Sequence, residues 1–171
     1  NSTVVYAGWN PFTDVGSGDW FYEDVMYAYE RGLVNGTAFD KFSPQETFTR
    51  GMLLTILARH DGVRTNSTPW YQAGCDWALA NGISDGKNPE EEISREEFAQ
   101  ILYRYAAYRG SHTLAGNDIS AFTDAGAVSP EALPAVQWAV AQTILRGDNY
   151  RLNPQGKTTR AEAAAMLHRF F

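Results

Sequence analysis

Three arginines set the frame of this 171-residue chain. Arg50, Arg95 and Arg160 each stand six residues after a proline (Pro44, Pro89, Pro154) and nine before another arginine (Arg59, Arg104, Arg169). Upstream, Tyr27-Ala28, Trp77-Ala78 and Trp138-Ala139 lead to Gly36, Gly86 and Gly147, nine residues from ring to glycine each time. Trp20 and Trp70 stand seven residues before the ring in two copies, where the third has Glu131. Offsets held in three places mark an internal repeat, in which one supersecondary unit recurs along the chain. The copies span residues 10–62, 66–108 and 119–171. They are joined by 63–68 and 108–121, and the second linker, with Gly110, Ser111, Gly116, Asn117 and Asp118, is the clearer loop.

Each copy reads as helix, loop, helix. In the first, Phe21, Val25, Ala28 and Tyr29 recur at helical spacing across Trp20 to Arg31, and Gly32 is placed to end that helix. A loop holding Gly36 and Pro44 follows. A second helix runs from Thr49 to about His60, with Met52, Leu53, Ile56 and Leu57 as its apolar stripe. The same reading predicts helices near Tyr71–Asn81 and Arg95–Tyr108 in the second copy, and near Pro130–Thr143 and Arg160–Phe170 in the third. A two-helix unit this short cannot bury its apolar face alone, so the three must share a core. The predicted fold is therefore mainly all-α. The more apolar second helices form a central three-helix bundle, in a pseudo-threefold arrangement with grooves between repeats.

Composition narrows the function. The net charge is −6 and there is no run of Lys and Arg, so nucleic acid is not an expected partner. Any anion site must be local. One cysteine, Cys75, excludes a disulfide framework and a cysteine metal site. His60, His112 and His168 share no metal spacing, so neither a metal nor a cofactor is expected. No window reaches the roughly 18 apolar residues of a membrane span. No signal peptide is visible, and Asn1 to Trp9 read as the start of a piece cut from a longer, exported chain. Aromatic residues make up 13% of the chain, more than a core needs, so some rings are expected to be ligand platforms. The tripeptides from Asn35 and from Asn66 match the N-glycosylation pattern, a signal frequent by chance.

The repeats resemble a tandem of three S-layer homology domains. Copy one has Phe12-Thr13-Asp14-Val15, Trp20, Gly32-Leu33-Val34-Asn35-Gly36, Phe42-Ser43-Pro44 and Thr49-Arg50. Copy two has Trp70, Gly82-Ile83-Ser84-Asp85-Gly86 and Ser94-Arg95-Glu96-Glu97. Copy three has Phe122-Thr123-Asp124, Gly147, Leu152-Asn153-Pro154 and the full Thr159-Arg160-Ala161-Glu162. The resemblance implies a non-enzymatic module that anchors a larger bacterial surface protein to the cell wall, outside the cell. The implied partner is a secondary cell-wall polysaccharide, commonly ending in N-acetylmannosamine with a pyruvate ketal. It also implies a spindle with grooves between its prongs.

A ketal carboxylate would need a cation with directed donors, and arginine offers a planar fork. Arg50, Arg95 and Arg160 open helices whose unpaired N–H groups and dipole also favour an anion, so cation and dipole are expected to converge on one ligand. The competing reading is an internal ion pair for each arginine, within a structural protein–protein module. A carboxylate-pair glycosidase is disfavoured, because no pair of acidic residues holds matched positions in all three copies. Trp20 and Trp70 are either sugar platforms or covers for a helix end. Gly36, Gly86 and Gly147 allow either a positive φ or a close approach of ligand. Asp14 and Asp124 either accept from sugar hydroxyls or orient an arginine, or they cap a turn. Tyr27, Trp77 and Trp138 are expected in packing. Copy one has Gly51-Met52 where the family has Ala-Glu, copy two has the acidic loop Glu90-Glu91-Glu92 beside Arg95, and copy three lacks the Trp. The grooves are therefore expected to be unequal.

Overall fold

The computed structural model describes residues 9–111, 113 and 118–171, so His112, Gly116, Asn117 and the opening eight residues of the sequence reading lie outside it. The described chain is helical, with only isolated β-bridges besides. Its helices are α1 (Tyr22–Glu30), α2 (Arg50–His60), α3 (Gln72–Ala80), α4 (Arg95–Tyr108), α5 (Leu133–Ala141) and α6 (Arg160–Phe170), with a short 3-10 turn at Ala125–Ala127. Among the described residues no helix is long and apolar enough to cross a membrane.

The second helices start at the predicted arginines because a hydroxyl caps each one. Thr49, Ser94 and Thr159 accept from the amides of Met52, Glu97 and Glu162. The first helices have no side-chain cap and start later than their spacing predicts. In α5 the reason is Pro134, which lacks an N–H and fits only the first turn. The first helices end alike. The amides of Leu33, Ile83 and Ile144 donate to the carbonyls of Ala28, Ala78 and Ala139, closing the helix in the Schellman manner. This needs a residue at positive φ, which is Gly32 (67°), Gly82 (68°) and, in copy three, Thr143 (59°).

The chain forms two compact units. One is drawn from the chain up to Thr47 together with Thr159–Phe171, and the other is Phe48–Thr158. In the first unit α1 packs along α6. The fully buried Ala28 lets α1 come close, and Tyr27 stacks on His168 with ring centroids 4.0 Å apart. His168 also meets Asp24, Nδ1 to Oδ1, at 2.9 Å. In the second unit α3 packs along α2 and α5 along α4, with a lighter contact of α2 on α4. The aligned rings Trp77 and Trp138 are buried there, against Tyr105 and Tyr103 of α4. The packing role expected of these rings is the one found. Each first helix thus rests on the second helix of the preceding copy, and the first helix of copy one rests on that of copy three.

The second unit also holds a closed ring of three hydrogen bonds. Phe48 N–H donates to the Thr158 carbonyl (2.8 Å), Thr158 N–H to the Ile93 carbonyl (2.9 Å), and Ile93 N–H to the Phe48 carbonyl (2.9 Å). These three residues each stand two before a repeat arginine. All three side chains are buried, so the ring joins the copies through backbone that water does not reach.

Candidate functional site

The arginines, the loop glycines and the loop prolines meet in the structure, and they do so across copies. The backbone comes first. Arg160 N–H donates to the Glu46 carbonyl and Ala161 N–H to the Pro44 carbonyl. In the same way Arg95 and Glu96 donate to Gly156 and Pro154, and Arg50 and Gly51 to Glu91 and Pro89. The third amide of each helix meets its hydroxyl cap. The expectation of unpaired helix N–H groups facing a ligand is therefore corrected: the proline loops supply carbonyls to those amides. Against α2 the loop comes so close that a Cβ at position 51 would lie 2.8 Å from the Pro89 carbonyl oxygen. Copy one has Gly51 at this close approach, and copy three has Ala161.

The guanidinium groups follow the same loops. Each donates to the carbonyl two residues before a loop proline. Arg160 Nε reaches Phe42 at 2.9 Å, Arg95 Nε reaches Leu152 at 2.8 Å, and Arg50 Nη1 reaches Lys87 at 3.2 Å. The fork of Arg160 also holds the Asn35 carbonyl, and that of Arg95 the Arg146 carbonyl (2.9 Å). Both carbonyls belong to the residue just before a loop glycine. Arg50 departs from this pattern. Its Nη1 takes Asn88 (3.0 Å), while Nε and Nη2 both turn to Glu97 Oε2, and Glu91 lies 3.6 Å away. The acidic loop of copy two, expected beside Arg95, serves Arg50.

Asp14 and Asp124 shape the loops that the arginines grip. Asp14 accepts from the amides of Phe42 (2.9 Å) and Ser43 (2.8 Å), and Asp124 from those of Leu152 and Asn153 (both 2.8 Å). Partial burial pushes the Asp124 carboxyl up, but these amides outweigh it and hold it below its ordinary value. The clamp turns the residue before each proline into the left-handed region: Ser43 (57°) and Asn153 (50°), matched by Asn88 (52°) in copy two. The glycines are close-approach positions. A Cβ on Gly36 would meet the Lys41 carbonyl oxygen at 2.6 Å and Phe12 at 2.7 Å, and one on Gly147 would meet Phe122 and the Arg151 carbonyl. Gly86 combines a close approach to the Cys75 carbonyl with a positive φ of 70°.

Trp20 and Trp70 each stand edge-on to the next ring, Phe21 and Tyr71, and stay 62% and 44% exposed. They keep open faces of the kind a sugar ring stacks on.

The arginine seats differ in charge. Arg160 is only 5% exposed, and its guanidinium lies over the Phe42 ring at 4.9 Å. Burial lowers its pKa, and the nearby Glu46 and Asp14 carboxylates pull it partly back. Among the described residues no carboxylate pairs with it, and its Nη1 has no hydrogen-bond partner. At the position of Glu97 and Glu162, copy one has Met52, so the repeats hold three such arginines and two such glutamates. Sequence reasoning missed the carbonyl acceptors and the Glu97 pair. The loop prolines, at a fixed six-residue offset from the arginines, were the available signal for the first.

Residues 11–51 and 121–164 match the family model of the S-layer homology domain. Over 172 aligned residues the chain is 27% identical to an endoglucanase of Bacillus sp. (strain KSM-635), covering 92% of this chain and 18% of that protein. It is 28% identical to an amylopullulanase of Thermoanaerobacterium thermosulfurigenes, covering 92% of this chain and 9% of that protein. It is 25% identical over 112 residues to a surface-layer 125 kDa protein of Lysinibacillus sphaericus, covering 54% of this chain and 10% of that one. The chain thus spans less than a fifth of the length of these relatives.

Proposed function

We propose that this chain is a non-catalytic wall anchor of three tandem S-layer homology repeats, and that it holds a larger bacterial surface protein to a secondary cell-wall polysaccharide outside the cell. S-layer homology domains generally serve such anchoring, and copies one and three carry the family match. The third repeat rests on the shared offsets and on hydrogen bonds that copy two makes in the same places. A pseudo-threefold arrangement around the second helices is the form that the hydrogen-bonded ring favours.

The observation that carries the reading is Arg160. A guanidinium buried among carbonyls, with no paired carboxylate among the described residues and one nitrogen unpartnered, is poised for an anion from outside. The pyruvate ketal of a terminal N-acetylmannosamine offers that carboxylate, and the exposed indoles of Trp20 and Trp70 offer a surface for sugar. In this reading Arg95 and Arg160 bind, Asp14, Asp124, Gly36, Gly86 and Gly147 shape the loops, and neither metal nor cofactor takes part. The test is binding to purified pyruvylated wall polysaccharide. The Arg160→Lys variant keeps the charge but loses the planar fork, and is expected to weaken binding at least tenfold with helicity unchanged. A depyruvylated polymer that bound equally well would overturn the carboxylate part.

A second reading, a structural interaction module with internal ion pairs, is supported by Arg50. Arg50 is paired with Glu97 and lies near Glu91. Binding of the chain to another protein but to no wall polymer would support it.

A further inference from the structure

We infer that Glu97, with Glu91 behind it, is the specificity determinant that closes the Arg50 seat to outside anions. This rests on the anion reading above. The three seats share one plan, with a helix-opening arginine, a carbonyl two residues before a loop proline and a glycine-flanked turn. In two of them the fork spans that carbonyl and the one before the loop glycine. In the third, Glu97 draws Nε and Nη2 onto a single carboxylate oxygen, so the fork no longer spans the turn. Arg50 is 15% exposed and Glu97 36%, so the pair is half-shielded from water. A ligand carboxylate would have to displace the Glu97 carboxylate already in place. The Glu97 side chain is also not needed for its helix start, since Ser94 caps the Glu97 amide rather than the carboxyl.

The experiment follows arginine Nε–Hε signals by NMR in the full chain, titrated with pyruvylated N-acetylmannosamine. Wild type is compared with the double variant Glu91→Gln/Glu97→Gln, which keeps both side-chain shapes. In wild type the Arg160 signal moves and the Arg50 signal stays. In the double variant Arg50 moves as well, with a midpoint within about threefold of that at Arg160. If Arg50 already moves in wild type, or stays still in the variant while Arg160 responds, the closing role of Glu97 is overturned and the anchoring reading survives. If Arg50 responds in the variant while Arg160 never does, the Arg160 assignment falls and the closing role stands. Silence at both arginines in both proteins overturns both.

Discussion

Thr158 is the polar member of the hydrogen-bonded ring. Its partners there, Phe48 and Ile93, bring apolar side chains, while its own hydroxyl is fully buried with no partner among the described residues. A buried, unsatisfied hydroxyl costs about 1–3 kcal/mol, and an apolar group of the same shape relieves that cost. The Thr158→Val variant is therefore expected to be more stable by about 1 kcal/mol. Urea unfolding checks it through a raised midpoint at unchanged slope. At this scale the sequence showed which residues matter better than what they touch. Arg160 read as a cation that opens a helix and faces an outside anion. Its partners are carbonyls more than a hundred residues away in the chain, and a carbonyl leaves no trace in residue identity. Asp14 and Asp124 were legible as recurrent. Their amide acceptor role follows from a turn that only the folded loop displays.

Among the elements, the second helices were the most legible, because hydroxyl, arginine and apolar stripe all point to one start. The first helices were less so, since no side chain caps their N-terminal ends. Their C-terminal ends follow one rule with one exception. Thr143 adopts the conformation that Gly32 and Gly82 take without cost, and a β-branched residue there carries strain of roughly 1–2 kcal/mol. The Thr143→Gly variant loses a hydroxyl bond to the neighbouring Gln142 carbonyl. It is still expected to gain about 0.5–1 kcal/mol, because relief of the strain outweighs the extra freedom of the unfolded chain. Thermal unfolding followed by circular dichroism measures the gain. An equal or lower midpoint would show that Thr143 is not strained.

At the scale of the molecule, the repeat was plain in the sequence and the partner of each helix was not. Helical periodicity shows that a face is buried but is silent about what covers it. A helix–loop–helix copy therefore gives no hint that its first helix leans on the copy before. The pairing of α1 with α6 has a mechanical consequence. These two helices come from opposite ends of the chain, and Phe48–Thr158 lies between them in sequence. A pull on both ends loads the α1–α6 contact first, and the residues between carry no tension until it parts. Single-molecule stretching is expected to show an early release from the residues of the first unit, up to Thr47 and from Thr159, before Phe48–Thr158 unfolds. Weakening the contact with Asp24→Ala should lower the first rupture force and leave the later one unchanged. The seat of Arg160 spans this same contact, holding α6 to the loop after α1. An occupied seat would then raise the force at which the chain first gives way.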